Sequence, residues 1–131
     1  MTHSSESRIL IVDDDAATRV MVERVLQRER FQVDCASDGQ EAIEMLTSTE
    51  YGTILLDLMM PRVDGIGVLR FLEATRPGSG RRVIVMTANL RSEELDECTS
   101  PAFSVLSKPF DIELLVDQVN RCVAQTAPAA N

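Results

Sequence analysis

The chain has 131 residues, 44% of them apolar, enough for one domain with a proper core. Its 13 Lys+Arg against 21 Asp+Glu give a net charge of −8, which repels nucleic-acid phosphates and anionic lipid, and with no Trp and one Tyr it has few base-stacking platforms. The single histidine, His3, lies in a polar Ser-rich start, which argues against Ser-His-Asp catalysis, a His-rich zinc site and a phospho-histidine carrier.

Residues 1–6 read as a disordered N-terminus. Ile9-Leu10-Ile11-Val12 is a continuous apolar run, the pattern of a parallel strand covered on both faces. A stripe of Met21, Val22, Val25 and Leu26 predicts the first helix. Phe31-Gln32-Val33-Asp34-Cys35 alternates, as an edge strand does. Ser37-Asp38-Gly39 introduces a helix carrying Ala42, Ile43 and Leu46, with Asp38 and Glu41 at capping-box spacing. Ile54-Leu55-Leu56 is the second continuous run, and a helix with Val68, Leu69 and Leu72 follows the Asp64-Gly65 turn. Val83-Ile84-Val85-Met86 is the third such run. Between Leu90 and Thr99 the helical signal is weak, with only Leu95 and Cys98 in register. Phe103-Ser104-Val105-Leu106 is short and mixed, a second edge strand. The clearest helix closes the pattern with Ile112, Leu115, Val116, Val119, Cys122 and Val123 on one face. Residues 125–131 are small and Pro/Ala-containing, a tail or the start of a linker.

Strand and helix alternate five times, which predicts an α/β fold: a five-stranded parallel sheet, doubly wound with five helices. Placing the two edge-like strands outermost gives the order 2-1-3-4-5. Its switch point lies between strands one and three, where ligands bind at the carboxyl ends. Asp13, Asp14 and Asp15 follow the first strand, Asp57 ends the third, Thr87 follows the fourth and Lys108 the fifth. Carboxylates packed on one rim repel and raise one another's pKa, and a hard cation such as Mg²⁺ removes that problem. A lysine and a hydroxyl beside them suit a transferred phosphoryl group, and without a histidine an aspartate is the obvious nucleophile.

Cys35, Cys98 and Cys122 are odd in number and show no CxxC spacing, so they read as reduced thiols of a cytoplasmic protein. No signal peptide is recognisable, and the apolar runs fall far short of the ~18 residues of a membrane span.

Four motifs in order resemble the receiver domain of two-component response regulators, over residues 7–124. They are Ile11-Val12-Asp13-Asp14-Asp15, Leu56-Asp57-Leu58-Met59-Met60-Pro61 with Asp64-Gly65, Met86-Thr87-Ala88, and Lys108-Pro109-Phe110. The resemblance implies a flavodoxin-like fold and a Mg²⁺-dependent phosphoacceptor, Asp57, supplied by a histidine kinase or histidine phosphotransfer protein. It implies that Asp14, Asp57 and the Met59 backbone carbonyl bind Mg²⁺ directly, with Asp13 acting through a water. Thr87 and Lys108 would contact the phosphoryl group, small Ala88 would leave room for it, and the Lys108-Pro109 peptide would be cis. Asp15 and Asp64 read as helix caps, and Met59 and Met60 as loop packing.

The pattern departs from the family at Val105, three positions before the lysine, where receivers usually place an aromatic. Phe103, two residues earlier, is expected on the same face as Val105. Ser100-Pro101-Ala102 replaces the usual Gly-Ala before the fifth strand. With no aromatic switch, signalling is expected to run through an order change in residues 89–101. Met59 and Asn89, each two residues past a site residue, are positions that tune the phosphoryl lifetime in the family. The expected partners are the phosphodonor and a downstream protein target, without direct nucleic-acid or membrane contact, in a monomer or phosphorylation-dependent dimer. The leading expectation is a stand-alone, chemotaxis-type receiver; the competing readings are a receiver cut from a larger regulator or hybrid kinase, a partner-binding pseudo-receiver, and a haloacid dehalogenase-type phosphatase using Asp13 as nucleophile.

Overall fold

In the computed structural model, residues 8–60, 64–88, 102–109 and 111–126 are described. The elements are β1 (Arg8–Val12), α1 (Ala16–Arg28), β2 (Gln32–Ala36), α2 (Gly39–Ser48), β3 (Thr53–Asp57), α3 (Gly65–Thr75), a 3₁₀ turn (Ser79–Arg82), β4 (Val83–Thr87), β5 (Ser104–Ser107) and α4 (Ile112–Thr126). The strands form one parallel sheet in the order β2-β1-β3-β4-β5. The weak helical segment between Leu90 and Thr99 lies outside the described residues, so four of the five expected helices are seen. The last of them runs to Thr126, into the stretch read as tail, where Gln125 donates a 2.7 Å hydrogen bond to the Arg81 carbonyl.

Burial follows from position in the sheet. Every residue of β3 and β4 is buried, whereas β2 and β5 at the edges are largely half-exposed. Residues alternate between two apolar clusters, one per face. Leu10, Val12, Leu56 and Val85 pack with Ala42 and Leu46 of α2 and with Val68, Leu69 and Leu72 of α3. Ile9, Ile11, Leu55, Ile84 and Met86 pack with Val22 and Leu26 of α1 and with Leu115, Val119 and Cys122 of α4. Among the described residues helices therefore cover both faces, and the chain leaves the central strands for the surface only past their ends. Phe103 departs from the expected face. It precedes β5, so strand alternation does not reach it, and it packs on the α1–α4 side. Val105 pairs with Val85, whose side chain faces α2 and α3.

Three aspartates start three helices. Asp15, Asp38 and Asp64 accept from the backbone N–H groups of Thr18, Glu41 and Gly67. Each such cap is worth about 1 kcal/mol. Glu41 reaches back to the Ser37 N–H at 2.7 Å, one residue earlier than a standard capping box. At the other end of α1, the Phe31 N–H meets the Leu26 carbonyl and the Arg30 N–H meets that of Gln27. That is a Schellman closure, with Phe31 and Leu26 in one apolar cluster. It puts Arg30 at φ 70°, a left-handed conformation that glycine adopts without penalty. Arg30→Gly should therefore raise the unfolding free energy by about 0.5–1 kcal/mol, read as a higher urea midpoint at unchanged m-value.

Candidate functional site

The carboxyl end of β1 lies beside that of β3, with Val12 opposite Leu56. This register brings the Asp13-Asp14 turn against Asp57. One carboxylate oxygen from each of Asp13, Asp14 and Asp57 lies within 4.8 Å of the others. Asp13 is fully buried, Asp57 is 4% exposed and Asp14 is exposed. Lys108, just past β5, reaches across β4 to this cluster. Its Nζ donates to Asp13 Oδ2 at 2.7 Å and lies 3.6 Å from Asp57 Oδ2. The Lys108 N–H is anchored on the Thr87 carbonyl at 2.8 Å, which continues the β4–β5 ladder past its end. The Lys108-Pro109 peptide is cis. Thr87 is buried at the end of β4, and Ala88 beside it is exposed.

Local hydrogen bonds set the carboxylate orientations. Asp13 Oδ1 accepts from the Asp15 N–H at 2.9 Å, and Asp57 Oδ1 from the Met59 N–H at 3.1 Å. Burial pushes the Asp57 carboxyl up to about 6, against the Met59 N–H, and the neighbouring Asp13 charge adds to the rise. For Lys108, burial pulls downward, but the hydrogen bond and charge of Asp13, joined by Asp57, hold the ammonium above its usual value. Asp15 stays outside the cluster as a cap. Its carboxyl is held below the usual range by the Thr18 hydroxyl and backbone N–H.

Three carboxylates and one ammonium leave two formal negative charges at this rim. The donors are all hard oxygens gathered within 4.8 Å of one another, close to the about 4 Å that separates opposite ligands of an octahedral Mg²⁺. The residues therefore fit Mg²⁺ in both charge and donor chemistry.

Two features of the site were not read from the sequence. Arg19 Nη1 donates to the Asp13 carbonyl at 2.8 Å from the first turns of α1. Gly65, at the start of α3, lies so close to β3 that an added Cβ would meet the Asp57 carbonyl oxygen and, at 2.6 Å, Leu58 Cα. The Asp64-Gly65 pair signalled a turn but not this contact. Met59 also differs from expectation. Met60 packs against the core, but Met59 is 67% exposed at the mouth of the site. Residues 89–101, Phe110 and Cys98 lie outside the described residues. Cys35 and Cys122 are free thiols.

Response regulator receiver domains match residues 9–120, and the chain belongs to that family. It is thus a signalling domain of the two-component type. It is 37% identical over 122 residues to response regulator MprA of Mycolicibacterium vanbaalenii, covering 92% of this chain and 52% of that protein. The chain spans about half the length of the curated relatives it matches. Among solved structures, a signal receiver domain from Bermanella marisrubri is 36% identical with a TM-score of 0.79, covering 92% of this chain and 99% of that one. Response regulator TrrA of Thermotoga maritima, in complex with Mg²⁺ and BeF, is 28% identical with a TM-score of 0.79, covering 88% and 98%. Among the described residues, no helix is long and apolar enough to cross a membrane.

The raised Asp57 carboxyl has a consequence for stability in metal-free buffer. Between its unfolded value near 3.8 and its folded value of about 6, the native state holds a proton that the unfolded chain has released. Stability from this group therefore falls as pH rises through that window. Asp57→Asn removes the cost and keeps the Oδ1 acceptor. The variant should match the parent near pH 4 and exceed it by on the order of 2 kcal/mol at pH 7, measured by urea unfolding with a chelator present. Gly65→Ala should cost about 1–3 kcal/mol in the same assay, because the groups in its way are backbone.

Proposed function

We propose that this domain accepts a phosphoryl group on Asp57 from the phosphohistidine of a histidine kinase or histidine phosphotransfer protein, and so changes its affinity for a downstream protein. The observation that carries the reading is the Asp57 carboxylate itself, nearly buried at the switch point with the Lys108 ammonium 3.6 Å from its Oδ2. A pKa of about 6 leaves it mostly ionised at neutral pH, and more basic than an ordinary aspartate. In the transfer, a carboxylate oxygen of Asp57 forms the new P–O bond as the P–N bond to imidazole breaks. The imidazole leaves with the electron pair and takes a proton from solvent. Lys108 lies on the Oδ2 side, within reach of the phosphoryl oxygens, and exchanges its contact with Asp13 for them. The Thr87 hydroxyl is a further hydrogen-bond donor to the group, and Ala88 leaves it space.

Asp14, Asp57 and the Met59 carbonyl are the direct Mg²⁺ ligands in this reading, with Asp13 acting through a water. When bound, the ion supplies positive charge to the phosphoryl oxygens. The receiver unit extends to the end of α4 at Thr126, two residues past the expected boundary of 124, and the setting is cytoplasmic. The net charge of −8 speaks against direct nucleic-acid binding. A shallow apolar face starts at Ala16 next to the acidic cluster and includes Val20, Met21 and Ile112, the last three 40–43% exposed. Arg24 and Arg28 also line it, and it borders the site to which a phosphodonor must bring its histidine. The phosphatase reading is less well supported, because Asp13 is fully buried and holds the Lys108 ammonium at 2.7 Å, against 3.6 Å for Asp57.

Incubation with Mg²⁺ and acetyl phosphate should give a mass gain of one phosphoryl group that hydroxylamine removes. Asp57→Asn should abolish it, and chelation should suppress it strongly. A label that survives in Asp57→Asn would move the acceptor elsewhere, and a label on Asp13 would favour the phosphatase.

A further inference from the structure

The three carboxylates of the cluster are not held alike. Asp13 is fastened through both oxygens, and Asp57 through Met59 and Lys108. The Asp14 carboxylate has no hydrogen-bond partner among the described residues and is exposed. The backbone therefore sets only the Cα–Cβ direction from which this carboxylate starts, above all through the plane of the peptide joining Asp13 to Asp14. The N–H of Asp13 is tied to the Ala36 carbonyl of β2 at 3.1 Å. The carbonyl of that joining peptide is held by Arg19, whose Nη1 donates to it at 2.8 Å. The Arg19 backbone N–H makes the first helical bond of α1, to the Asp15 carbonyl at 3.0 Å, which fixes the point from which its side chain reaches back to the turn. Among the described residues Arg19 joins no ion pair, and its side chain is half-buried, which is unusual for an arginine serving only solubility.

We infer that Arg19 is a positioning residue for the metal-binding turn: by fixing the Asp13–Asp14 peptide it aims the otherwise unheld Asp14 carboxylate at the ion site. This rests on the Mg²⁺ reading given above. The geometry predicts a direction opposite to that of simple charge. A guanidinium near a cation site repels the cation, so on charge alone its removal strengthens Mg²⁺ binding. If Arg19 positions Asp14, its removal weakens binding, because partners that orient ligands typically matter by about 10–100-fold.

The test is Mg²⁺ titration by calorimetry on the parent, Arg19→Ala, Arg19→Lys, Asp14→Asn and the Arg19→Ala/Asp14→Asn double variant, with urea unfolding to confirm that each is folded. Arg19→Ala should raise the Mg²⁺ Kd roughly tenfold. Arg19→Lys, which can still offer one N–H to the carbonyl, should recover part of that loss. In the Asp14→Asn background the Arg19→Ala change should add less than about twofold, because the two residues act as one unit. Equal or tighter Mg²⁺ binding by Arg19→Ala, or full additivity in the double variant, overturns the inference while leaving the Mg²⁺ site intact. A parent that binds no Mg²⁺ overturns both.

Discussion

Everything at the functional rim depends on one lysine crossing the sheet. Lys108 leaves β5, passes over the end of β4, and places its ammonium 2.7 Å from Asp13 Oδ2 and 3.6 Å from Asp57 Oδ2. Without it, two nearly buried carboxylates would face each other with only backbone N–H groups for compensation. The contact spans 95 residues of sequence and joins the edge of the sheet to its switch point. It also leaves the rim two charges short of neutral. A fully compensated site would have no use for a cation, and an uncompensated one would protonate Asp57 further and lose the nucleophile of the proposed transfer.

The topology explains why this chemistry is confined to one end. Helices cover both faces of β1, β3 and β4, so a polar side chain on these strands must emerge at a strand end or find a partner inside. At the carboxyl ends the carboxylates converge on Lys108. At the opposite ends polar groups close on one another. Arg82 donates to the Tyr51 carbonyl, and the Tyr51 hydroxyl and Arg8 both donate to Asp34. Arg76 pairs with Glu50 across the cleft between α2 and α3. The Arg8–Asp34 and Arg76–Glu50 pairs each balance their own charge, whereas the carboxyl end keeps an excess of negative charge for a cation to offset.

What the sequence made legible was whatever a local pattern encodes. Continuous apolar runs marked β1, β3 and β4 because burial on both faces removes alternation, and alternation marked β2 as an edge. Asp15 and Asp64 were readable as caps because the preference for that residue type is strong at one position. The acidic rim followed from topology and motif spacing together. The misses share a different cause. Phe103 was assigned a face by strand alternation, but the strand begins one residue later. Met59 was read as packing because methionine usually packs, yet the turn after β3 turns it outward. Arg19 and Gly65 act through contacts with backbone atoms distant in the fold's geometry. Residue type alone does not reveal such contacts, since an arginine on a helix and a glycine after an aspartate each have an ordinary use.

The same desolvation that makes Asp57 costly to fold makes it useful. In water an aspartate is a weak base, well solvated and slow to attack. Here burial raises its basicity by disfavouring the charge, while Lys108 and the Met59 N–H keep enough of the anion at neutral pH to react. Asp13 contributes by occupying Lys108 at rest. Its Oδ2 holds the ammonium closer than Asp57 does, so Asp57 is left the weaker partner. In the proposed transfer, a phosphoryl group on Asp57 would reverse that preference, because it would present more negative charge than Asp13 at a site the ammonium already borders. The transfer of one lysine between two acceptors on neighbouring strands is then a local charge event within a rigid, fully packed sheet. Change outside the site must be taken up by the segments joined to the rim, since the interior strands have no room to move.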